Sequence, residues 1–238
     1  MSDLSQLLLE SCKKMNVCLN DKQLKQFMDY KDMILEWNEK INLTAITDER
    51  EIILKHFVDC ISVCGEIDLG TEKVIDVGTG AGFPGVPLKI ACPSIRITLM
   101  DSLNKRICFL NELVNRLGLE NAECIHMRAE DGGSDISFRE NYDLCVSRAV
   151  ANLSVLSEYC LPFIKIGGTF IAMKGPSAEA ELETGRKAIK ILGGEVSDIK
   201  EIAIPETNIY HKLIIIKKVK RTDKKYPRTA AKIKKAQL

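Results

Sequence analysis

The spacing of hydrophobic residues along this chain changes character near residue 70. Before that point apolar positions recur with a helical period. Asp3–Met15 reads as a short amphipathic helix. Leu24, Phe27, Met28, Ile34, Leu35 and Ile41 follow at helical spacing. They are preceded by Asn20 and Asp21, with Gln23 three residues after Asn20, the pattern of a capping box. A polar turn at Asn42–Thr47 leads to Asp48 and Glu51, a second start signal, for a helix predicted to run to about Cys64.

Beyond residue 70 short apolar strands alternate with amphipathic segments. Strands are predicted at Lys73–Val77, Arg96–Met100, Ala122–His126, Tyr142–Ser147 and Thr169–Met173. The intervening helices include Ser102–Leu117, Leu153–Ile166 and Ser177–Leu192, each followed by glycine. Two last strands, about Val196–Ile204 and Lys212–Val219, leave no room for a helix between them and predict an antiparallel pair. The alternation implies an α/β fold with a mostly parallel sheet covered on both faces.

Charge divides the chain differently. The total is nearly neutral, with 34 Lys+Arg against 33 Asp+Glu among 238 residues. Yet residues 217–238 hold ten of the basic side chains and a single acid, Asp223. An acidic body therefore carries a basic C-terminal tail, an asymmetry that suits either a polyanionic partner or a solvated extension. The expected divisions are a helical segment over 1–70, a core over 71–220 and the tail over 221–238. No apolar run approaches the roughly 20 residues that span a bilayer. Met1–Met15 contains Asp3 and Glu10 and lacks a secretory pattern, so a cytoplasmic protein without membrane contact is expected.

The nine cysteines are odd in number and form no CxxC pair, which suits reduced thiols used as small hydrophobes. His56, Cys60 and Cys64 recur every four residues, but a zinc site would need a fourth ligand. The neighbouring Ile52, Ile53, Phe57 and Ile61 favour a packed helix instead, and no metal is expected.

The strongest chemical signal is the turn Asp76-Val77-Gly78-Thr79-Gly80-Ala81-Gly82-Phe83-Pro84-Gly85. From Gly80 it reads GxGxxG, a dinucleotide fingerprint; from Gly78 it reads DxGxGxG, the pattern of S-adenosylmethionine (SAM) methyltransferases. Three features favour SAM. The strand ends at Val77, so the turn begins at Gly78. Pro84 removes an N–H where a pyrophosphate would need one. The antiparallel ending gives the seven-stranded, Rossmann-like sheet of class I methyltransferases. Gly78, Gly80, Gly82 and Phe83 are then cofactor candidates. Asp101 ends the second strand, where a carboxylate can accept from ribose hydroxyls, although it or Ser102 could equally cap a helix. Ala129 and Glu130 follow the third strand, and Arg148 the fourth. Arg148 could bind the methionine carboxylate or a phosphate, or pair with a structural acid such as Asp143.

The segments Asn42–Thr47, Lys55–Asp59, Asp76–Ile90, Asp101–Arg106, Arg128–Glu130, Ser147–Ala151, Ala172–Gly175 and Tyr226–Arg228 closely resemble the RsmG (GidB) family, and in the same order. That resemblance implies a 16S ribosomal RNA guanine-N7 methyltransferase using SAM on the small ribosomal subunit. It also implies cofactor contacts at Gly78, Phe83, Ala129, Glu130, Arg148, Asp101 and Ser102. Two departures stand out. Cys60 occupies a position usually held by Ser. After Arg228 the chain continues Thr229-Ala230-Ala231-Lys232-Ile233 in place of a Lys-Ala-Gly-x-Pro-like run.

N7 of guanine has a lone pair and no proton, so its methylation needs positioning rather than a general base. The residues after strand four lack the Asp/Asn-Pro-Pro-aromatic loop used for exocyclic amines, and no Pro-Cys nucleophile occurs. Arg148, His56, Asp59 and Lys174 are positioning candidates. Lys105, Arg106, Arg221, Lys224, Lys225, Tyr226 and Arg228 are candidates for RNA, with Tyr226 placed to stack on a base, and Arg128 and Lys174 continuing the basic surface. A monomer is expected. A small-molecule methyltransferase, another RNA methyltransferase and a non-catalytic RNA- or nucleotide-binding module are the competing readings.

Overall fold

The computed structural model describes residues 2–148 and 151–238. Ala149 and Val150, within the Ser147–Ala151 segment above, lie outside the described residues. Helix α1 spans Asp3–Lys14 and α2 spans Asp21–Asn38. At the start of α2 the Gln23 N–H donates to Asn20 Oδ1 (3.0 Å) while the Asn20 N–H donates to Gln23 Oε1 (2.8 Å). Both bonds of the expected capping box are therefore present. Asp48 caps α3 (Glu49–Ile52) by accepting from the Glu51 N–H at 2.9 Å. The same rod then widens into a π-helical turn over Ile53–Val58 before continuing as α4 (Asp59–Glu66). Nothing in the hydrophobic spacing announces that widening, because its i→i+5 bonds leave no residue signature.

The strands are β1 (Lys73–Val77), β2 (Arg96–Asp101), β3 (Ala122–His126), β4 (Tyr142–Arg148), β5 (Ile164–Lys174), β6 (Gly194–Ala203) and β7 (Tyr210–Lys218). They lie in the order β3-β2-β1-β4-β5-β7-β6. All neighbours run parallel except β7, which is antiparallel to both β5 and β6. The remaining helices are α5 (Gly85–Ala91), α6 (Asn104–Leu117), α7 (Ala129–Gly132), α8 (Leu153–Cys160), α9 (Ala178–Ile191) and α10 (Ala230–Lys235). Helix α8 is shorter than its sequence predicts. Pro162 lacks an N–H and its ring crowds the carbonyl four residues back, so the chain leaves the helix. Leu161–Phe163 forms a 3₁₀ turn and β5 begins at Ile164, paired with Tyr142.

The N-terminal helices share a core with the sheet. Leu8, Phe27, Ile34 and Phe57 join Val86, Leu99 and Leu110 in one buried cluster. The Phe27 and Phe57 rings lie 5.1 Å apart and those of Tyr30 and Phe57 lie 4.9 Å apart. Each such side chain contributes about 1.5–3 kcal/mol on burial. A second cluster on the opposite face collects Leu156, Phe163, Phe170, Leu182 and Ile216.

That second cluster also takes in Tyr226. The basic C-terminal stretch is thus packed against the body. The Arg139 guanidinium donates to the carbonyls of Gly133, Tyr226, Thr222 and Asp223 at 2.7–3.2 Å. Lys218 is buried and donates to Leu161 O and Thr222 Oγ1, both at 2.6 Å. Burial pushes its pKa down to about 8. Ile233 is buried, and Leu238 packs against the second cluster.

Candidate functional site

The glycine turn leaves β1 and crosses to the end of β2. Gly78 (φ 74°) and Gly80 (φ 62°) sit in the left-handed region, which a side chain resists. The N–H groups of Gly78 and Thr79 donate to Met100 O, and the Gly80 N–H donates to Asp101 Oδ2 at 2.9 Å. Asp101 also accepts from the Leu103 N–H (2.9 Å) and from Arg106 (3.2 Å). A carboxylate offers about four acceptor positions, so three donors leave capacity for a further hydroxyl.

Below the turn, Asp76 is fully buried. Its Oδ2 accepts from Thr79 Oγ1 and from the Gly85 N–H, both at 2.7 Å, and its Oδ1 has no partner among the described residues. Burial raises its pKa to about 7. The N-terminal amide of α5 therefore serves a carboxylate of the protein rather than a ligand.

The other wall comes from the π-helical turn. His56 stacks on Phe83, with ring centroids 4.4 Å apart, and the Arg148 guanidinium lies over the same ring at 4.8 Å. Arg148 donates to Asp59 Oδ2 (2.8 Å), to Lys55 O (3.2 Å) and to His56 Nδ1 (3.1 Å). Nδ1 also lies 3.1 Å from Lys55 O, and Nε2 is hydrogen-bonded to Thr44 Oγ1 at 2.8 Å, so both ring nitrogens are engaged. Burial and the Arg148 charge push the His56 pKa down to about 4, leaving the ring neutral near pH 7. Asp59 in turn meets His211 Nδ1 from β7. The acid paired with Arg148 is Asp59; Asp143 instead pairs with Lys165 and caps the Lys73 N–H.

Between these walls lies a cavity of about 550 Å³ at the C-terminal ends of β1, β2 and β4. Gly78, Gly80, Phe83, Asp101, Ser102, Ala129, Glu130, Arg148 and His56 all line it, as does Arg106. Three of the sequence candidates do not. A Cβ on Gly82 (φ 100°) would meet Tyr30 Oη and Val86 Cγ2 at 2.7 Å, so this glycine serves packing against α2 and α5. Asp59 is 1% exposed and sits behind Arg148. Lys174 is buried, bonded to Ala151 O and paired with Glu181 at 2.8 Å, so it belongs neither to the cavity nor to the basic surface.

Two candidates for RNA are engaged within the protein. Tyr226 is 9% exposed and packs inside the second core cluster. Arg228 forks Glu158, with Nε on Oε1 at 2.8 Å and Nη2 on Oε2 at 2.6 Å. Lys105, Arg221, Lys224 and Lys225 remain exposed, and Arg128 lies exposed at the cavity. Sequence reasoning missed Leu43, Thr44, Met127, Tyr159 and Ala230, which also line the cavity. Thr44 lay in a segment that resembled the family without an assigned role. Tyr159 and Ala230 had no signal, because both reach the cavity through packing of α8 and the tail.

The cavity suits the group that the glycine pattern implied. A Cβ at Gly80 would meet no atom within 4 Å, so the turn faces open space. Asp101 keeps acceptor capacity, and Nε–H of Arg148 has no partner among the described residues. The volume falls in the few-hundred Å³ range of small-molecule sites.

A family model described as rRNA small subunit methyltransferase G (GidB) matches residues 23–210. The chain belongs to this family. A ribosomal RNA small subunit methyltransferase G from Clostridium botulinum (strain Loch Maree / Type A3) is 54% identical over 233 residues, 98% of each chain. A methyltransferase G from Acetivibrio thermocellus is 52% identical over 229 residues, 96% of this chain and 94% of the relative. Among solved structures, M. jannaschii TYW2 in complex with AdoMet superposes with TM-score 0.56 at 15% identity, covering 74% of this chain and 80% of that one. A SAM-dependent O-methyltransferase from Thermotoga maritima superposes with TM-score 0.54 at 16% identity, covering 80% and 72%. These likenesses, with the antiparallel β7, show that this methyltransferase G family member has the class I methyltransferase fold expected from its sequence. Among the described residues no group of three or more His, Cys, Asp or Glu side chains could hold a metal, and no helix is long and apolar enough to cross a membrane.

Proposed function

We propose that this protein methylates N7 of a guanine in 16S ribosomal RNA with SAM as donor. The observation that carries the reading is the cavity in which the Gly78–Gly80 turn, the Asp101 carboxylate and the Arg148 guanidinium converge, in a member of the methyltransferase G family. Residues 71–220 form the core of the cofactor-binding part, and Leu43, Thr44 and His56 before residue 70 and Ala230 of the tail complete its walls. The protein acts as a cytoplasmic monomer on the small subunit.

When bound, SAM would supply an electrophilic sulfonium methyl, with the bonding pair left on a neutral thioether sulfur. Gly78 and Gly80 let the backbone approach the cofactor without a Cβ in the way. Asp101 and Ser102 accept from ribose hydroxyls, Ala129 and Glu130 face the adenine, and Arg148 binds the methionine carboxylate. Asp59 and His56 hold Arg148 in place. The guanine N7 lone pair forms the new N–C bond, and no proton leaves, so no residue need act as a base. A neutral His56 adds no further positive charge to a site that would already hold the sulfonium and the Asp59-paired Arg148. Lys105, Arg106, Arg221, Lys224 and Lys225 meet RNA phosphates.

The test is transfer of labelled methyl from SAM to small subunits that lack the modification, with the product mapped by cleavage at N7-methylguanine. Intact SAM binding without incorporation overturns the reading. Incorporation at another atom overturns the assignment to N7.

A further inference from the structure

Another cavity lies at the far end of the sheet from the glycine turn. It has a volume of about 470 Å³ and lies between the end of α9, the start of β6 and the end of β7. Strand register fixes its place. Glu195 of β6 pairs with Lys217, Lys217 with Thr169, Thr169 with Leu144 and Leu144 with Val74. That row crosses β1 near its first residue, whereas the cofactor cavity opens beyond its last.

Three cations converge there: Arg186 and Lys190 from α9 and Lys220 from the tail. All are exposed, and none forms an ion pair or a side-chain hydrogen bond among the described residues. Glu195 is the one acid lining the cavity. The macrodipole of α9 accounts for Lys190 near its C-terminus. It does not account for Lys220, which arrives from another element. Lys220 is fixed by its backbone, since its N–H and that of Val219 both donate to Gly193 O at 3.1 and 2.9 Å. Gly193 (φ 89°) permits the approach, because a Cβ there would lie 2.3 Å from Lys220 O. Val219, half exposed, adds an apolar rim.

The tail joins the two cavities. Lys220 lines the far one and Ala230 lines the cofactor cavity. Arg221, Lys224 and Lys225 stand exposed along the packed segment between them, with Arg221 3.8 Å from Glu140 and Lys225 3.4 Å from Asp223. From these three unpaired cations and the basic segment that leads from them, we propose that the Arg186–Lys190–Lys220 cavity is a distal anchor for the phosphodiester backbone of the RNA substrate. The strand runs from there along the tail to the methyl-transfer site. The inference rests on the RNA reading above and extends it to a site outside the catalytic cavity.

The test is equilibrium binding of the full chain to unmodified small subunits over a range of salt, with subunit KM, kcat and SAM affinity measured in parallel. Each phosphate contact contributes about 0.7–0.9 to the slope of log K against log salt. Replacing Arg186, Lys190 and Lys220 together by Ala should lower that slope by about 2 and raise KM roughly 10- to 100-fold near 0.1 M salt. The kcat, SAM affinity and Tm should be unchanged. The charge-conserving set Arg186→Lys, Lys190→Arg and Lys220→Arg should restore the slope. An unchanged slope and KM in the Ala variant, with the wild type methylating subunits, overturn the anchor alone. A wild type that binds SAM and methylates no rRNA overturns the parent reading instead.

Discussion

Arg148 and Asp59 form a buried ion pair of 2.8 Å that joins the end of β4 to the start of α4. Asp59 is almost completely enclosed, and Arg148 presents its remaining edge to the cofactor cavity. Asp59 therefore fixes where the guanidinium points without touching a ligand.

Replacing Asp59 by Ala should cost stability and cofactor affinity together. Removing one partner of a buried pair leaves the other charge uncompensated, a loss of about 3–5 kcal/mol. We expect a lower Tm and SAM affinity reduced at least tenfold by calorimetry. An unchanged affinity in a folded Asp59→Ala protein would show that Arg148 does not depend on this anchor.

The glycines of the turn should separate by function. Gly80→Val places its side chain in the open cavity, at a left-handed position that costs roughly 1–2 kcal/mol. SAM binding should be lost while the protein still folds. Gly82→Val should instead fail on stability, because its Cβ meets Tyr30 and Val86. Thermal melts and calorimetry on the two variants distinguish these outcomes.

His56 should make the protein acid-sensitive. Its pKa falls from 6.5 to about 4 on folding, so the folded state resists a proton that the unfolded chain accepts. The stability tied to neutral His56 is present above pH 6.5 and is lost as pH falls toward 4. Relative to His56→Gln, the wild type should lose Tm progressively across that window. Parallel curves for the two proteins would contradict the assignment. Asp76 contributes the opposite slope, which is why the difference between proteins is the measurement that matters.

Arg228 should behave as a structural clamp. Its fork meets Glu158, which is 1% exposed. Arg228→Ala should lower stability by about 3 kcal/mol in urea titrations. Arg228→Lys should recover only part, since an ammonium cannot reproduce the bidentate geometry. If RNA affinity fell with stability unchanged, Arg228 would be an RNA contact after all.

Much of the cavity was legible beforehand because its residues are set by local rules. A glycine turn after a strand and a carboxylate ending the next strand both follow from topology, and these place Gly78, Gly80 and Asp101. Gly82 lay in the same motif and misled, since which way a left-handed glycine faces depends on α2, some fifty residues away in sequence. The π-helical turn that brings His56 to the wall left no trace in the apolar spacing.

The tail gives the clearest division. Its sequence determined that ten cations gather after residue 216, just as the change of period near residue 70 determined the α/β order and Asn20 and Asp48 determined two helix starts. These are properties of neighbouring residues, and chain connectivity alone enforces them. Only the tertiary structure decided which cations stay free. Lys218 is buried, Arg228 is held by Glu158, and Arg139 pins the backbone carbonyls around them. Burial and pairing depend on residues brought together from 57 to 87 positions apart, and charge counted along a chain carries no record of what will cover it.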